Sequence, residues 1–137
     1  MSIRILLVDD NEDVRKGLRR LLEDESGLDI VAEAGDGRMA VRLAQELLPE
    51  VILMDIAMPH LNGIEATRQI MADGLGIKVI GLSTYSSQAY VKCMLSAGAC
   101  GYVLKDQAHG ILTEAIRSVM AGQIYVSVRL TDRTNLK

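Results

Sequence analysis

The residues best suited to chemistry all fall at one kind of place, directly behind a short apolar run. Asp9 and Asp10 follow Ile5-Leu6-Leu7-Val8, and Asp55 follows Val51-Ile52-Leu53-Met54. Ser83 and Thr84 follow Val79-Ile80-Gly81-Leu82, and Lys105 follows Gly101-Tyr102-Val103-Leu104. If the runs are parallel strands, these side chains converge, because the site of an open parallel α/β sheet lies beyond the carboxyl ends of its strands. Three carboxylates brought together repel and raise one another's pKa. A hard divalent cation relieves that repulsion, and Mg²⁺ suits one or two carboxylates, waters and a phosphate oxygen. Lys105 adds a compact charge for a phosphoryl oxygen or a free carboxylate, and Ser83 a hydroxyl. Together these are the parts for phosphoryl transfer to an aspartate, where electrostatic clamping carries most of the work.

The elements that must hold these residues are legible as an alternation. The runs at Ile5, Val51 and Val79 are continuous in apolar residues, as in strands covered on both faces. A fourth run, Leu28-Asp29-Ile30-Val31-Ala32, and a fifth at Gly101 complete the set. Between them lie stripes of helical spacing: Val14, Leu18, Leu21, Leu22; Ala40, Ala44, Leu47, Leu48; Val91, Met94, Leu95; and Leu112, Ile116, Val119, Met120. Gly63 to Asp73, with Ile64, Thr67, Ile70 and Met71, is a weaker version. Asp13 and Ser86 or Ser87 are expected N-caps and Gly98 a helix stop, while Pro49 and Pro59 lie outside the periodic segments. Five strands alternating with five helices imply a parallel sheet in a three-layer α/β sandwich. After Tyr125 the pattern fades: Val126-Ser127-Val128 offers a short extension, and residues 131–135 read as linker. The expected division is a domain over 1–122 and, over 123–137, a C-terminal extension or the start of a linker.

Composition narrows the function. The 137 residues are 49% hydrophobic and 24% charged, and 15 Lys and Arg against 18 Asp and Glu give a net charge of −3. One domain with one core is expected at this length. A near-balanced charge argues against a chain dominated by phosphate-neutralising cations. With four Tyr, no Trp and no Phe, there is no aromatic platform for single-stranded nucleic acid. Cys93 and Cys100 are too few for a disulfide framework, form no zinc motif, and are expected to be packing residues. No apolar run approaches membrane-spanning length and the amino terminus is no signal peptide, so the expected address is the cytoplasm, with no membrane partner.

With these residues in view, the sequence resembles the receiver domain of bacterial two-component response regulators. The resemblance rests on Asp9-Asp10, Asp55 with Met58-Pro59 and Gly63, Ser83, and Ala97-Gly98-Ala99 leading through Gly101-Tyr102 to Lys105. Residues 96–106 (SAGACGYVLKD) and Gly122-Gln123-Ile124-Tyr125 resemble the NarL/FixJ type, whose output domains are of the LuxR kind. The resemblance implies a flavodoxin-like (CheY-like) fold with strand order 2-1-3-4-5. It implies that Asp55 is the phosphoacceptor of a sensor histidine kinase, and that Asp10, Asp55, Asp9 through water, and the Ala57 backbone carbonyl hold Mg²⁺. Lys105 and Ser83 would contact the phosphoryl group, and Ser83 with Tyr102 would form the switch. The face of helix four, strand five and helix five, around Val91, Met94, Tyr102, Ile111 and Ala115, would change for a homodimer partner or an output domain. That output would regulate transcription through a DNA-binding part outside this chain, and the chain itself would be a switch and not an enzyme. One departure is Asp106 after Lys105, where many receivers carry a cis proline. The other is Ala57, where the family often has a polar residue.

Other readings weigh against this one. A haloacid dehalogenase-like phosphohydrolase needs a second Asp two residues after its nucleophile, as general acid and base, and Ala57 stands there. A flavodoxin-like electron carrier needs a hydroxyl- and glycine-rich phosphate loop after the first strand, where Asp9-Asp10-Asn11-Glu12 would repel phosphate. A receiver-like interaction module that never meets phosphate shares the fold and stays open. Taken singly, Asp9-Asp10 reads as helix-capping acids, Lys105 as a surface lysine, Ser83 as a strand-end hydroxyl and Tyr102 as a half-covered amphipathic ring. Asn62 reads as a turn, His60 and His109 as surface residues, and Met54, Met58, Met71, Met94 and Met120 as core or loop.

Overall fold

The three runs without polar alternation form the three central strands of one parallel sheet. The computed structural model describes residues 2–58 and 61–127, so the readings of Pro59, His60, Val128 and the 131–135 stretch lie outside the described residues. In chain order the elements are β1 (Ile3–Val8), α1 (Glu12–Glu23), β2 (Leu28–Ala34), α2 (Gly37–Leu47), β3 (Val51–Asp55) and α3 (Gly63–Ala72). They continue with β4 (Lys78–Ser83), α4 (Gln88–Ser96), β5 (Gly101–Leu104), a 3₁₀ turn (Lys105–Gln107), α5 (Ala108–Met120) and β6 (Tyr125–Val126). All pairings are parallel, in the order β2-β1-β3-β4-β5-β6.

Alternation along the strands divides the core into two layers. Leu6, Val8, Ile52, Met54, Val79 and Tyr102 face α2, α3 and α4. Ile5, Leu7, Val51, Leu53, Ile80, Leu82 and Val103 face the other way, against Leu22 of α1 and Leu112, Ala115, Ile116 and Val119 of α5. Successive strand residues point to opposite faces, so one continuous apolar run serves both layers. The expected α/β sandwich with five α-helices is the observed one.

The structure differs from expectation at several points. A sixth strand extends the expected five, in the order 2-1-3-4-5-6. It is two residues long and is held by the backbone: Tyr125 N–H donates to Cys100 C=O (3.0 Å) and Ser127 N–H to Tyr102 C=O (2.8 Å). The N-cap of α1 is Asn11 and not Asp13; its side chain accepts from the amides of Asp13 and Val14, leaving Asp13 in the first turn where its charge favours the helix dipole. Ser87 caps α4, and Gly98 at φ 111° follows its C-cap Ala97. Asn62, read as a turn, is the N-cap of α3. Cys93 is exposed on α4, so it is not a packing residue, while Cys100 is half-buried. Val91, Met94, Tyr102 and Ala115, expected to line a changing surface, are fully buried. They support that face from beneath; α4 exposes Ala89, Tyr90, Lys92 and Cys93 instead. Lys105 and Asp106 run into the 3₁₀ turn, and among the described residues there is no cis peptide.

One glycine sets how closely α3 approaches the end of β3. A Cβ on Gly63 would lie 2.0 Å from the Asp55 carbonyl oxygen and 2.9 Å from Ile56 Cα, and the Gly63 N–H donates to Ile56 C=O at 2.8 Å. Gly17, inside α1, has nothing within 4 Å of such a Cβ. Gly63→Ala is therefore expected to lose about 2 kcal/mol or more of stability through overpacking against backbone. Gly17→Ala should gain about 0.5–1 kcal/mol from helix propensity. Urea denaturation of both variants measures the contrast, and equal effects would refute the close approach.

Candidate functional site

Strand ends build the site. The carboxyl ends of β1 and β3 are neighbours, with Val8 beside Met54, so Asp9 and Asp55 emerge side by side. Ser83 closes β4 next to them, and Lys105 follows β5. The ligand oxygens of Asp9, Asp10 and Asp55 lie within 4.8 Å of one another, with Asp9 and Asp55 buried and Asp10 exposed. Lys105 reaches back over the sheet edge. Its Nζ stands 2.8 Å from Asp9 Oδ2 and 3.1 Å from Asp55 Oδ1.

The electrostatics follow from burial. Asp9 is 1% and Asp55 4% exposed. Burial first, then the Asp9 carboxylate, push the Asp55 carboxyl up from its ordinary 3.8 to about 6, while Lys105 pulls the other way. Burial would lower the Lys105 ammonium, but hydrogen bonding to Asp9 and the charge of Asp55 outweigh it and hold the group above its usual range. Asp9 Oδ1 accepts from the Asn11 amide at 2.9 Å. Asp9 Oδ2 meets only the Lys105 ammonium, at 2.8 Å. One ammonium facing three carboxylates leaves two negative charges uncompensated when all are ionised. An all-oxygen set of three clustered carboxylates with that excess charge fits a hard divalent cation.

A brace behind this loop was not anticipated from the sequence. Arg15 of α1 donates to the Asp9 backbone carbonyl (2.5 Å) and to Glu33 (2.9 Å), and Arg19 donates to the other Glu33 oxygen (2.6 Å). Burial works to raise the Glu33 carboxyl, but the two guanidiniums hold it below the usual range. The available signal was a pair of arginines four residues apart on the α1 face nearest an acid in β2. Only the fold says that they meet.

The hydroxyls form a second group. Ser83 is 1% exposed, and its Oγ accepts from the Tyr85 amide at 2.9 Å. Tyr102 is fully buried, its ring against Met94 above Gly81, where a Cβ would meet Met94 Cε at 2.9 Å and the Tyr102 ring at 3.5 Å. Its hydroxyl donates to the Tyr85 carbonyl at 2.7 Å. Burial pushes the phenol up, against a hydrogen bond with Ser83 that lowers it. The inward ring differs from the half-covered residue that Tyr102 suggests taken singly. Ala57 sits in the bend after β3 and lines a 170 Å³ recess with Ile56, Asn62, Ile64, Tyr85 and Tyr90. Thus Asp9, Asp10, Asp55 and Lys105 form one cluster, Ser83 and Tyr102 a linked pair beside it, and Ala57 the rim. His109 is exposed, as read.

Comparison with known proteins agrees with this geometry. Residues 5–117 match the response regulator receiver domain. The response regulator UvrY of Escherichia coli is 42% identical over 134 residues, 98% of this chain and 62% of that protein. The response regulator GacA of Pseudomonas viridiflava is 39% identical over 135 residues, 98% of this chain and 63% of that protein. This chain thus spans under two-thirds of the relatives it matches. A LuxR-family two-component response regulator from Aurantimonas superposes with a TM-score of 0.89 at 38% identity, covering 93% of this chain and 91% of that one. The acidic pocket at the strand ends, the flavodoxin-like sheet and these matches place the chain in the response regulator receiver domain family, in its NarL/FixJ branch.

Proposed function

We propose that the chain is a phosphorylation-dependent switch in which Asp55 accepts a phosphoryl group from a sensor histidine kinase. The observation that carries this reading is the Lys105 ammonium bridging Asp9 and Asp55 in a buried, under-neutralised acidic pocket. A carboxylate oxygen of Asp55 attacks the phosphorus of a phosphohistidine. The new P–O bond forms as the P–N bond breaks, and the imidazole nitrogen leaves with the bonding pair. Lys105 stands where it can leave Asp55 for a phosphoryl oxygen while keeping Asp9, and the Ser83 hydroxyl lies at the neighbouring strand end. Asp10 and Asp55, Asp9 through water, and the Ala57 carbonyl would hold Mg²⁺, which supplies charge neutralisation at the phosphoryl oxygens. Ala57 carries no carboxylate to activate water, which favours keeping the acyl phosphate over turnover.

Readout is a population shift. Phosphate can move the equilibrium only by its difference in affinity for two arrangements of the Ser83 and Tyr102 hydroxyls. The face above them, α4 with β5, β6 and α5, then meets a second copy or an output domain. Residues 1–122 are the receiver under this reading, and 123–137 lead toward an output that acts on transcription by binding DNA. No helix among the described residues is long and apolar enough to cross a membrane, in keeping with a cytoplasmic address.

Three outcomes test the reading. Acetyl phosphate with Mg²⁺ should label the protein on Asp55, and Asp55→Asn should abolish labelling while still melting cooperatively; retained label on the variant would put the acceptor elsewhere. The second concerns pH. Because the native Asp55 carboxyl titrates near 6 and the unfolded one near 3.8, the stability this group contributes is full below the lower value and is lost as pH rises through the higher. Without divalent ions, Asp55→Asn should therefore exceed the wild type at pH 7.5 by about 3 kcal/mol and converge with it near pH 4. Mg²⁺ should raise the wild-type melting temperature at pH 7.5 and leave Asp55→Asn nearly unmoved. Denaturation curves that run parallel across this range would refute the strained carboxylate. Third, Tyr85→Ala opens the recess beside Ala57 to water, so the phosphorylated state should decay severalfold faster, followed as loss of label after the donor is removed. An unchanged lifetime would remove that role.

A further inference from the structure

Three of the four tyrosines meet at one end of α4. Tyr85 and Tyr90 stack with ring centroids 4.7 Å apart and planes 16° from parallel. Both remain exposed, at 41% and 38%, so the pair packs on itself more than on the core. Tyr85 sits in the short segment between Ser83, the last residue of β4, and Ser87, the N-cap of α4. Both of its peptide groups are engaged: the N–H donates to Ser83 Oγ, and the carbonyl accepts from the Tyr102 hydroxyl. One residue thus binds the strand-end hydroxyl, the buried phenol and, through its ring, the outer surface of α4.

We propose that Tyr90 is a positioning residue of the switch: by stacking on Tyr85 it fixes the peptide groups on which the Ser83 and Tyr102 hydroxyls rest. The inference rests on the phosphorylation reading and adds a residue to it. If Ser83 is drawn toward Asp55, the Tyr85 amide must follow or release it. The buried Tyr102 hydroxyl must then follow the carbonyl or find another acceptor, since a buried donor left unpaired is costly. Either movement shifts the Tyr85 ring against Tyr90. The stack therefore resists the change at rest and carries it to the exposed side of α4 when it occurs. A purely structural pair would leave these hydroxyls where they are when it is removed.

Uniform labelling with 3-fluorotyrosine gives a test, because only Tyr85, Tyr90, Tyr102 and Tyr125 report. In the wild type, beryllofluoride with Mg²⁺ should shift the Tyr85, Tyr90 and Tyr102 resonances with one midpoint. Tyr90→Ala, at an exposed position that leaves the core intact, should shift the Tyr102 resonance before any beryllofluoride is added. It should also lower the midpoint concentration by about threefold or more, the scale of one aromatic pair's preference. Tyr90→Phe keeps the stack and should restore both values. A Tyr90→Ala protein with the wild-type Tyr102 resonance and midpoint overturns the positioning role, as does a Phe variant that behaves like Ala. If instead the wild type ignores beryllofluoride, the phosphorylation reading fails, and the role of Tyr90 in switching falls with it.

Discussion

The Lys105 ammonium shared between two buried carboxylates is the contact on which the architecture of this protein turns. Asp9 and Asp55 emerge side by side from adjacent strands, and burial there pushes the Asp55 carboxyl up. Lys105 can reach both only because β5 lies beyond β4 in the same parallel register, with Ser83 beside Leu104 at the common edge. Closeness of the layers matters equally. Gly63 lets α3 start against the backbone of Asp55 and Ile56, which walls the acid from solvent. From behind, Arg15 holds the Asp9 carbonyl, so the acidic loop cannot relax its repulsion by swinging outward. Lys105 offsets one of the three charges, and the other constraints hold the acids together, so the pocket is left in need of a further cation or of protons.

How that need reaches the surface depends on the far edge of the sheet. β5 is not an open edge, because β6 pairs with it and Ser127 accepts the Leu104 amide through its hydroxyl at 3.0 Å. Tyr102 is consequently tied on three sides: its ring lies under α4, its carbonyl accepts from Ser127, and its hydroxyl is held by Tyr85. A change at Ser83 therefore meets a stiff element on the β5 side and a looser one at α4. The α4 contacts are few in buried side chains, chiefly Val91 and Met94, and the exposed aromatic pair joins its first turn, at Tyr90, to Tyr85 in the segment before it. An element with fewer buried contacts yields first.

The sequence shows the sheet clearly where burial dictates composition and poorly where hydrogen bonding does. β1, β3 and β4 are buried on both faces, and uninterrupted apolar residues are a strong signal of that. Asp9, Asp55, Ser83 and Lys105 are legible because they end those runs. β6 has no such signal: two half-buried residues join the sheet through amides, which every residue type carries. The choice of Asn11 over Asp13 as the cap of α1 also lies in backbone geometry that either side chain could serve. Arg15 and Glu33, 18 residues apart, and Tyr85 and Tyr102, 17 apart, meet only through the crossover connections of the fold. Cys93 and the four buried residues of the expected outer face were misplaced for a related reason: a helical stripe gives the period of burial but not how far a neighbouring strand covers it.

Under the proposed function, Ala57 is the small side chain that would separate a switch from a hydrolase on a shared scaffold. On that reading the acids, the ammonium and the strand-end hydroxyl would favour forming an acyl phosphate, and a carboxylate at this position would hasten its loss by positioning water. In its place the protein has a methyl group at the rim of a recess that Ile56, Ile64 and the stacked Tyr85 and Tyr90 rings line beside Asn62. The Ala57 methyl offers an incoming water no hydrogen-bonding partner, and an oriented water needs several. One of the rings that line this recess belongs to Tyr85, whose peptide groups bond the Ser83 and Tyr102 hydroxyls. If the proposed switch operates, persistence of the phosphorylated state and its transmission to α4 would draw on one set of contacts, and a change in that stack should alter both together.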